Sequence, residues 1–411
     1  MRTTDPTLSA PADADAAPPP LARSVVWLFA AMAGLAVANL YYHQPLLGEI
    51  ARGFGTSERQ AGQISTVTQV GYAAGLLLFV PLADVRERRA LVVWLLLGVA
   101  LALTGAALAP SLGWLAAASL LIGLTTVVPQ VIVPFAAGLA APAQRGRVIG
   151  QVVGGLLVGI LGARVVSGAL GEALGWRMVF ALAALLMLAL ALLARRALPA
   201  ARPAARLGYA GLLRSLLPLL GREPVLREAA WIGAASFGAF SAFWTTLAFR
   251  LQTPPLDYGP RVAGLFGLVG IVGALAAPAV GRLIDRVAPH LTLGAGLVTS
   301  LAGYLLFLLF GGSLLGLAAG VVVLDAGAQL TGISNQARIY ALSPELHGRL
   351  NTVYMASFFV GGAAGSLLGT LAWGARGWAG VCGVGLALLT LALGGWLRYG
   401  GVRRAAAGSG G

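Results

Sequence analysis

Three polar residues and a glycine recur on one face of an apolar segment in the second half of the chain. Asp325, Gln329, Gly332 and Gln336 follow one another at intervals of four, three and four residues, which places them along one side of an α-helix. A carboxyl group among apolar neighbours can take up and release a proton near neutral pH. We therefore identify Asp325 as a candidate proton-exchanging group, with Gln329 and Gln336 as candidate residues of a watery cavity. A purely structural Asp325, hydrogen-bonded within the fold, is the alternative.

A second charge, Arg164, lies inside another long apolar segment. An arginine in the middle of a membrane costs at least about 2.5 to 3.5 kcal/mol unless it is paired or hydrated, so it marks a candidate functional site. Three arrangements are open: the side chain extends to the nearby end of its helix, it stays inside and serves the site, or it pairs with Asp325. Axial estimates at about 1.5 Å per residue separate the two charges by roughly 10 Å.

The first apolar segment ends in the polar stretch NLYYHQP, residues 39–45. Tyr42 and His43 follow Asn39 by three and four residues, which predicts a hydrogen-bonding edge on one helical face. We expect Tyr41 to anchor the helix at the membrane interface, whereas Tyr42 is equally suited to anchoring and to lining a cavity. We expect His43 to be solvated.

The elements that must position these residues are membrane-spanning helices. Hydrophobic residues make up 58% of the 411-residue chain and the mean hydropathy is +0.85, which a soluble domain with a polar surface does not carry. Apolar stretches of about 18 residues or more, long enough to cross a bilayer, recur from end to end. The fourth and tenth segments are long and are predicted to be tilted or broken, the fourth because Pro129 and Pro134 interrupt it. The sequence predicts an all-α membrane protein with twelve transmembrane helices, near residues 25–43, 61–83, 90–109, 112–140, 147–170, 175–195, 229–250, 261–281, 291–311, 313–341, 349–372 and 378–399.

The arginines predict the orientation of the chain in the membrane. The net charge of +14 comes from arginine alone, because the sequence contains no lysine. By the predicted spans, most of the 28 arginines fall in the two terminal tails and the even-numbered connections. The positive-inside rule therefore places both termini in the cytoplasm. The basic balance reports orientation, and no nucleic-acid partner is required.

The chain carries an internal duplication. Asp84 and Asp285 are 201 residues apart, and Gly175 and Gly377, each followed by tryptophan, are 202 residues apart. This repeat predicts two pseudo-symmetric six-helix bundles joined by a linker, the layout of a two-bundle secondary transporter. The predicted organisation is a disordered cytoplasmic N-terminal tail (1–23), an N-terminal bundle (24–195), a cytoplasmic linker (196–228), a C-terminal bundle (229–399) and a cytoplasmic C-terminal tail (400–411).

The charged stretch VPLADVRERR, residues 80–89 and hereafter the signature segment, resembles a family motif. It is similar to the signature of the major facilitator superfamily between its second and third helices, and the resemblance extends over residues 24–399. It implies that the signature latches the cytoplasmic side of the two bundles. The alternative is that the arginines only set the topology. The implied gate consists of one aspartate and arginines in each copy: Asp84, Arg88, Arg89, Asp285 and Arg286.

Helix five resembles the proton-coupled drug antiporters of that superfamily. Small residues stand at the spacings of the family's helix-five pattern, with Arg164 in place of its proline. Small side chains let helix backbones approach closely at the bundle seam. The matching residues are Gly159, Ala163, Ser167 and Gly168.

The resemblance also implies which helices surround the transport site. In the superfamily, helices one, four, seven and ten line the central cavity, and helix five is expected to pack against helix ten. The candidate cavity residues on these helices are therefore Asn39, Tyr42, Gln130, Trp244, Gln329 and Gln336.

Together these features predict a secondary active transporter of a small organic solute. The resemblance to antiporters implies alternating access and proton-coupled efflux. A proton-coupled importer, a facilitated-diffusion carrier and a non-transporting membrane sensor on the same scaffold are the alternatives. We expect a monomer in a bacterial cytoplasmic membrane, with the substrate, protons and lipid as its partners.

The residue inventory argues against catalysis. With one cysteine, three histidines and no paired acids in the predicted helices, neither a nucleophile with its base nor a metal site is visible. A chain without lysine contains no G-x-x-x-x-G-K-[ST] phosphate-binding loop, which argues against an ATP-driven pump. We predict no enzymatic activity, no cofactor and no metal.

Overall fold

The computed structural model describes residues 22–141, 144–200, 208–275, 288–343 and 346–408. Helices make up most of this part of the chain, and it contains no β-strand. A short 3-10 helix, Gln44–Leu46, follows the first α-helix. In chain order the α-helices are α1 (Arg23–Ala38), α2 (Leu47–Gly53), α3 (Glu58–Phe79), α4 (Leu82–Val85), α5 (Arg88–Ala107), α6 (Leu112–Thr125), α7 (Val128–Leu139), α8 (Arg145–Leu174), α9 (Trp176–Ala197), α10 (Tyr209–Arg222), α11 (Pro224–Leu251), α12 (Pro260–Leu275), α13 (Pro289–Phe310), α14 (Leu314–Tyr340) and α15 (His347–Gly408).

The predicted transmembrane segments coincide with these helices, which confirms the all-α fold. Nine helical stretches within the described ranges are long and apolar enough to cross a bilayer, and the last, His347–Arg398, has non-helical backbone angles at Gly377. Two shorter apolar helices, Arg23–Ala38 and Pro260–Gly270, occupy the first and eighth predicted positions. Large apolar side chains face outward, Leu101 being 76% exposed. Such an exterior suits contact with lipid, since the helices satisfy their own backbone groups.

The internal duplication is visible in the helix ends. α8 begins at Arg145 and α15 at His347, 202 residues apart. Gly175 (φ 80°) and Gly377 (φ 58°) both adopt positive φ where one transmembrane helix passes into the next. Glycine adopts that conformation without the steric cost of a Cβ atom, so both halves require it at this turn.

Two serines start corresponding helices in the two halves. Ser111 Oγ accepts the backbone N–H of Trp114 at 3.3 Å, and Ser313 Oγ accepts that of Gly316 at 3.1 Å. A side-chain oxygen at this position satisfies an N–H group that has no partner within the first helical turn. The caps fix the starts of α6 and α14, again 202 residues apart.

The two long segments differ in continuity. The fourth is interrupted after Thr125 and resumes at Val128, so that Pro129 lies in the first turn of α7, where a missing N–H costs no intrahelical bond. Pro134 lies inside α7 without ending it. The tenth segment, α14, is a single helix of 27 residues without the predicted break.

The two bundles meet along two pairs of helices. α3 packs against α15, and α8 packs against α12. Contrary to the expectation that helix five packs against helix ten, the main partners of α8 are α1 and α12. The backbones of Gly168 and Gly264 meet at the α8–α12 contact, and their lack of side chains allows this close approach.

The predicted linker, 196–228, is partly helical. α10 occupies part of it, and α11 begins at Pro224, five residues before the predicted start of helix seven. Two buried leucines of α10, Leu216 and Leu219, belong to an apolar cluster with residues of α11, α14 and α15.

Candidate functional site

A cavity of about 420 Å³ lies between the two bundles. We call the end of the molecule that carries the signature segment the signature end, and the other the opposite end. Most of the lining residues lie in the middle of the transmembrane helices or in their halves nearer the signature end, whereas Val37 and Tyr41 lie near the other end of α1. The volume falls within the range of about 300 to 1,000 Å³ that is typical of small-molecule sites. The wall includes Tyr41, Tyr72, Gln130, Arg164, Ser236, Phe237, Phe240, Asp325, Gln329, Thr331, Gly332, Gln336, Tyr354, Phe358 and Phe359.

The polar face of α14 predicted from residue spacing faces this cavity. Asp325, Gln329 and Gln336 all line it, and Gln130 of α7 joins them. Asp325 is only 8% exposed, and its Oδ1 has no hydrogen-bond partner among the described residues. The cavity therefore contains a buried carboxyl group and several amides in an otherwise apolar and aromatic setting.

Arg164 lies between the cavity and a small pocket nearer the opposite end. Its Nε donates to Gln44 Oε1 at 2.8 Å, and its guanidinium carbon lies 4.8 Å from the ring centroid of Tyr41 and 3.9 Å from that of Trp244. The residue is 2% exposed, so the alternative in which it extends to the helix end is wrong. Two aromatic faces and one amide oxygen replace part of the hydration that the cation has lost.

Arg164 and Asp325 line the same cavity without forming an ion pair. Among the residues described, no nitrogen–oxygen distance between them reaches 4.0 Å or less. They are nevertheless close enough to interact electrostatically. Arg164 Nη2 has no hydrogen-bond partner in the described part of the chain, like Asp325 Oδ1. Two opposite charges thus line one cavity, and each has a buried polar atom without a hydrogen-bond partner among the described residues.

The polar end of the first transmembrane segment is arranged differently from the prediction. Asn39 Nδ2 donates to a backbone carbonyl one turn back and lies 3.2 Å from Met187 Sδ of α9, so its side chain points away from the cavity. Tyr41 lines the cavity, whereas Tyr42, predicted as the lining candidate, does not belong to its wall. The reason is that α1 ends at Ala38, so the spacing of a continuous helix does not apply beyond it.

His43 is also buried, contrary to the expectation that it is solvated. It is 3% exposed, and its Nε2 lies 2.8 Å from Ser65 Oγ of α3. Packing of α3 over the end of the first segment therefore takes this imidazole out of water. The residues next to His43 in the sequence do not indicate that Ser65 of α3 is its partner.

An aromatic wall was missed by sequence reasoning. The rings of Phe237 and Phe358 are stacked with centroids 3.9 Å apart, and those of Tyr72 and Phe359 lie 4.3 Å apart. All four residues line the cavity. The pair Phe358-Phe359 is visible in the sequence, but the eleventh predicted transmembrane segment, residues 349–372 in α15, was not expected to line the site.

A second buried charge pair lies within the C-terminal bundle and was also missed. Arg338 of α14 donates to the carboxylate of Glu228 of α11, and the two residues are 7% and 2% exposed. The predicted linker extended to residue 228, which concealed this carboxylate. Neither residue belongs to the wall of the described cavity.

The bundles are joined at the opposite end by polar contacts. All three join a charged side chain to a neutral donor or acceptor, so closure there does not depend on ion pairs. Nearby, burial raises the pKa of Glu49, and Arg52 partly opposes this effect. The contacts are Arg52 Nη1 to Gln252 Oε1 at 2.9 Å, Trp373 Nε1 to Glu58 Oε2 at 2.6 Å, and the backbone N–H of Arg261 to Glu172 Oε2 at 3.1 Å.

The signature segment makes its described polar contacts within its own bundle and with the residue that follows α9. Arg88 Nη2 lies 3.6 Å from Asp84 Oδ1, and Glu87 Oε2 accepts a backbone N–H of the first turn of α5 at 3.0 Å. Arg89 Nη1 donates to a backbone carbonyl after α9 at 3.4 Å. At this end, one hydrogen bond among the described side chains joins α10 to the N-terminal bundle. Tyr209 Oη of α10 donates to a backbone carbonyl of α3 at 2.8 Å. The second-copy residues of the predicted gate lie outside the described part of the chain: Asp285 and Arg286.

The small residues of α8 face two different helices. The backbone of Gly159 meets that of Gly34 in α1, within the same bundle, whereas Gly168 meets α12 across the seam. Ala163 is buried, and Ser167 Oγ donates to a backbone carbonyl of its own helix at 3.3 Å. The close approach expected at the bundle seam is therefore made by Gly168.

Comparisons with known proteins identify the family. The sequence profile described as Major Facilitator Superfamily matches residues 26–293. The chain is 43% identical over 373 residues to the putative uncharacterized transporter YgaY of Escherichia coli strain K12, covering 90% of this chain and 95% of that one. A probable sugar efflux transporter of Haemophilus influenzae is 28% identical over 204 residues, 48% of each chain. A solved structure of a mutant of the peptide transporter POT has the same fold, with a TM-score of 0.77, 16% identity and coverage of 94% of this chain and 97% of that one.

Proposed function

The chain belongs to the major facilitator superfamily and is a multi-pass membrane transporter; we propose that it exports a small organic solute in exchange for protons. The observation that carries the proposal is the pair of buried, unpaired charges, Arg164 and Asp325, that face one cavity between the bundles. A buried carboxyl group that water can reach through the cavity can exchange a proton. The proposed location is the cytoplasmic membrane of a bacterium, with the protein acting as a monomer in contact with lipid.

The contacts between the bundles support an inward-facing state. The arginine distribution predicts that the signature end is cytoplasmic. Among the described residues, polar contacts between the bundles lie at the opposite end and, through Gln69, in the middle of the seam, while most of the cavity lies nearer the signature end. Rigid-body rocking of one bundle, residues 24–195, against the other, residues 229–399, then exposes the cavity to the outside.

The location of Asp325 favours exchange over cotransport. A proton and a solute group that binds the ionised carboxylate compete for the same oxygens, so that binding of one releases the other. Competition of this kind produces antiport, in which the solute leaves as a proton enters. The similarity to a probable sugar efflux transporter supports the same direction.

Proteoliposome transport tests the proposal. A panel of small organic solutes is first screened for thermal stabilisation of the purified protein at two pH values on either side of neutrality. Each stabilising solute is then followed in proteoliposomes with and without an imposed pH gradient. The gradient is expected to drive solute movement in the native protein and in Asp257→Asn, whose exposed position tolerates asparagine at positive φ, but not in Asp325→Asn. Solute movement that depends on neither the pH gradient nor Asp325 would indicate facilitated diffusion. Movement of the solute in the same direction as the protons would indicate a proton-coupled importer.

The gate at the signature end is tested separately. In the proposed outward-facing state Asp84, Arg88 and Arg89 contact the other bundle, whereas here their described polar contacts are with their own bundle and the residue that follows α9. Asp84→Asn should impair turnover while leaving membrane insertion and solute binding intact. Native turnover by this variant would contradict the gate.

A further inference from the structure

We propose that the solute is a zwitterion with an aromatic body, the chemical class of an aromatic amino acid. The inference rests on the proposed function, because it takes the cavity as the transport site. Three features of the cavity carry it together: an unpartnered guanidinium nitrogen on Arg164, an unpartnered carboxyl oxygen on Asp325, and the aromatic wall.

The guanidinium of Arg164 keeps hydrogen-bonding capacity for a ligand, because only its Nε has a hydrogen bond among the described residues. It lies over the rings of Tyr41 and Trp244, its Nε binds Gln44, and its Nη2 has no partner among the described residues. Guanidinium N–H groups lie in the plane of the group, so the remaining capacity suits a planar acceptor with two oxygens. A carboxylate has this geometry, and the permanent charge of arginine favours an anion over a neutral carbonyl.

Asp325 presents the complementary requirement. Its Oδ1 has no hydrogen-bond partner in the described part of the chain, and its ionised form only accepts hydrogen bonds. A ligand ammonium group donates three. Arg164 and Asp325 interact electrostatically, but no nitrogen–oxygen contact within 4.0 Å joins them among the described residues, so one solute that carries both groups can supply a partner to each.

The aromatic wall accommodates the body of the solute. Phe237 and Phe359 are in an edge-to-face arrangement with centroids 5.1 Å apart, next to the stacked Phe237 and Phe358. Rings in such clusters attract a further ring through offset-stacked or edge-to-face contacts. Tyr72 extends the same surface.

Solutes of other charge leave one group of the site uncompensated. A carboxylate without an ammonium leaves Asp325 unpaired unless it is protonated. A cation leaves the buried Arg164 without an anion, and a neutral solute serves neither, which is unfavourable because buried polar groups require partners. A zwitterion also explains exchange, since its ammonium group occupies the position at Asp325 that a proton otherwise takes.

A matched series of four compounds tests the inference by ligand-binding titration of the purified native protein. All four share one aromatic ring: phenylalanine carries both charges, 3-phenylpropionate only the anion, 2-phenylethylamine only the cation, and 2-phenylethanol neither. Phenylalanine should bind at least about tenfold more tightly than each of the others, because each lost charge removes a buried charged hydrogen bond. Binding of either singly charged compound as tight as that of phenylalanine would overturn the inference, as would equal binding of the neutral compound or no binding of phenylalanine.

Two variants should separate the two contacts. Arg164→Gln should lower the affinity for phenylalanine to that for 2-phenylethylamine and leave the affinity for 2-phenylethylamine unchanged. Asp325→Asn should lower the affinity for phenylalanine to that for 3-phenylpropionate and leave the affinity for 3-phenylpropionate unchanged. The retained binding of one analogue shows that each variant is folded. Arg177→Gln, an exposed arginine at the start of α9, and Asp257→Asn are the matched controls and should bind all four compounds like the native protein. Equal losses for all compounds in both variants would contradict the assignment.

The outcome is distinguishable from failure of the proposed function. If the substrate class is wrong but export is right, another solute of the panel moves with the pH gradient and phenylalanine does not bind. If the transport proposal is wrong, no solute that binds moves with the gradient, whatever its charge.

Discussion

The contact between α8 and α12 is expected to set the balance between the two orientations of the bundles, and Gly168→Ala tests this. A Cβ atom at Gly168 would lie 2.5 Å from the carbonyl oxygen of Pro260 and 3.0 Å from Gly264 Cα. Because ordinary contacts begin at 3.4 Å, the helices must separate by about 0.9 Å at this point. Overpacking of this kind costs about 1 to 3 kcal/mol, and it is relieved when the opposite end opens. The ratio of outward-facing to inward-facing molecules should therefore rise by roughly 5- to 150-fold.

Distances between spin labels measure this ratio. In a Cys382→Ser background, which removes the single cysteine, labels are placed at Pro110→Cys and Gly312→Cys. Both positions are exposed in connections at the opposite end, one in each bundle. Gly168→Ala should shift the distance distribution from one short population towards a longer one.

Gly162→Ala is the matched control for Gly168→Ala. It lies on the same helix, and a Cβ atom there would meet no atom within 4 Å. The control should keep the native distribution. If Gly162→Ala and Gly168→Ala give the same distribution while both remain folded, the α8–α12 contact does not set the state and the reasoning is refuted.

Three further predictions concern contacts outside the cavity. Arg338→Leu should destabilise the protein by about 3 to 5 kcal/mol, because it leaves the Glu228 carboxylate buried and alone, and a second change, Glu228→Leu, should recover much of the loss in thermal unfolding. Gly377→Ala should cost about 1 to 3 kcal/mol, since its backbone angles (φ 58°, ψ −145°) are accessible almost only to glycine; an unchanged melting temperature would argue against this. Trp373→Phe removes the N–H that binds Glu58 across the seam, and the same spin-label pair should report more of the open state, unlike in a control with a lipid-facing tryptophan replaced.

The fold was largely predictable because its determinants are local. Runs of apolar residues long enough to cross a bilayer define helices wherever they occur, and the structure confirms an all-α protein. The repeat of 202 residues was readable because each half needs the same turn, and Gly175 and Gly377 do adopt the same positive-φ region. The helix ends were less predictable. α11 begins five residues before the predicted end of the linker, so the prediction assigned Glu228 to the linker and not to the helix.

The candidate site was predictable where polar or charged residues interrupt apolar helices, as at Gln130 and Arg164, and most clearly where one helix carries a polar stripe. Asp325, Gln329 and Gln336 face the cavity together because a polar face on an otherwise apolar helix has to avoid lipid. The aromatic residues of α11 and α15 lie on helices that are apolar around most of their circumference, so their sequence does not indicate which face is inside.

By itself, the sequence determined that the chain is a duplicated set of membrane helices and that Asp325 shares a face with two amides, because hydropathy and helical spacing depend only on neighbouring residues. Only the tertiary structure decided that Arg164 binds Gln44 and two aromatic rings instead of Asp325, and that Tyr41 replaces Tyr42 in the cavity wall. These outcomes depend on where helices end and which distant helices pack against them. The contact of α8 with α12 across the seam is one such pairing, and local periodicity does not encode it.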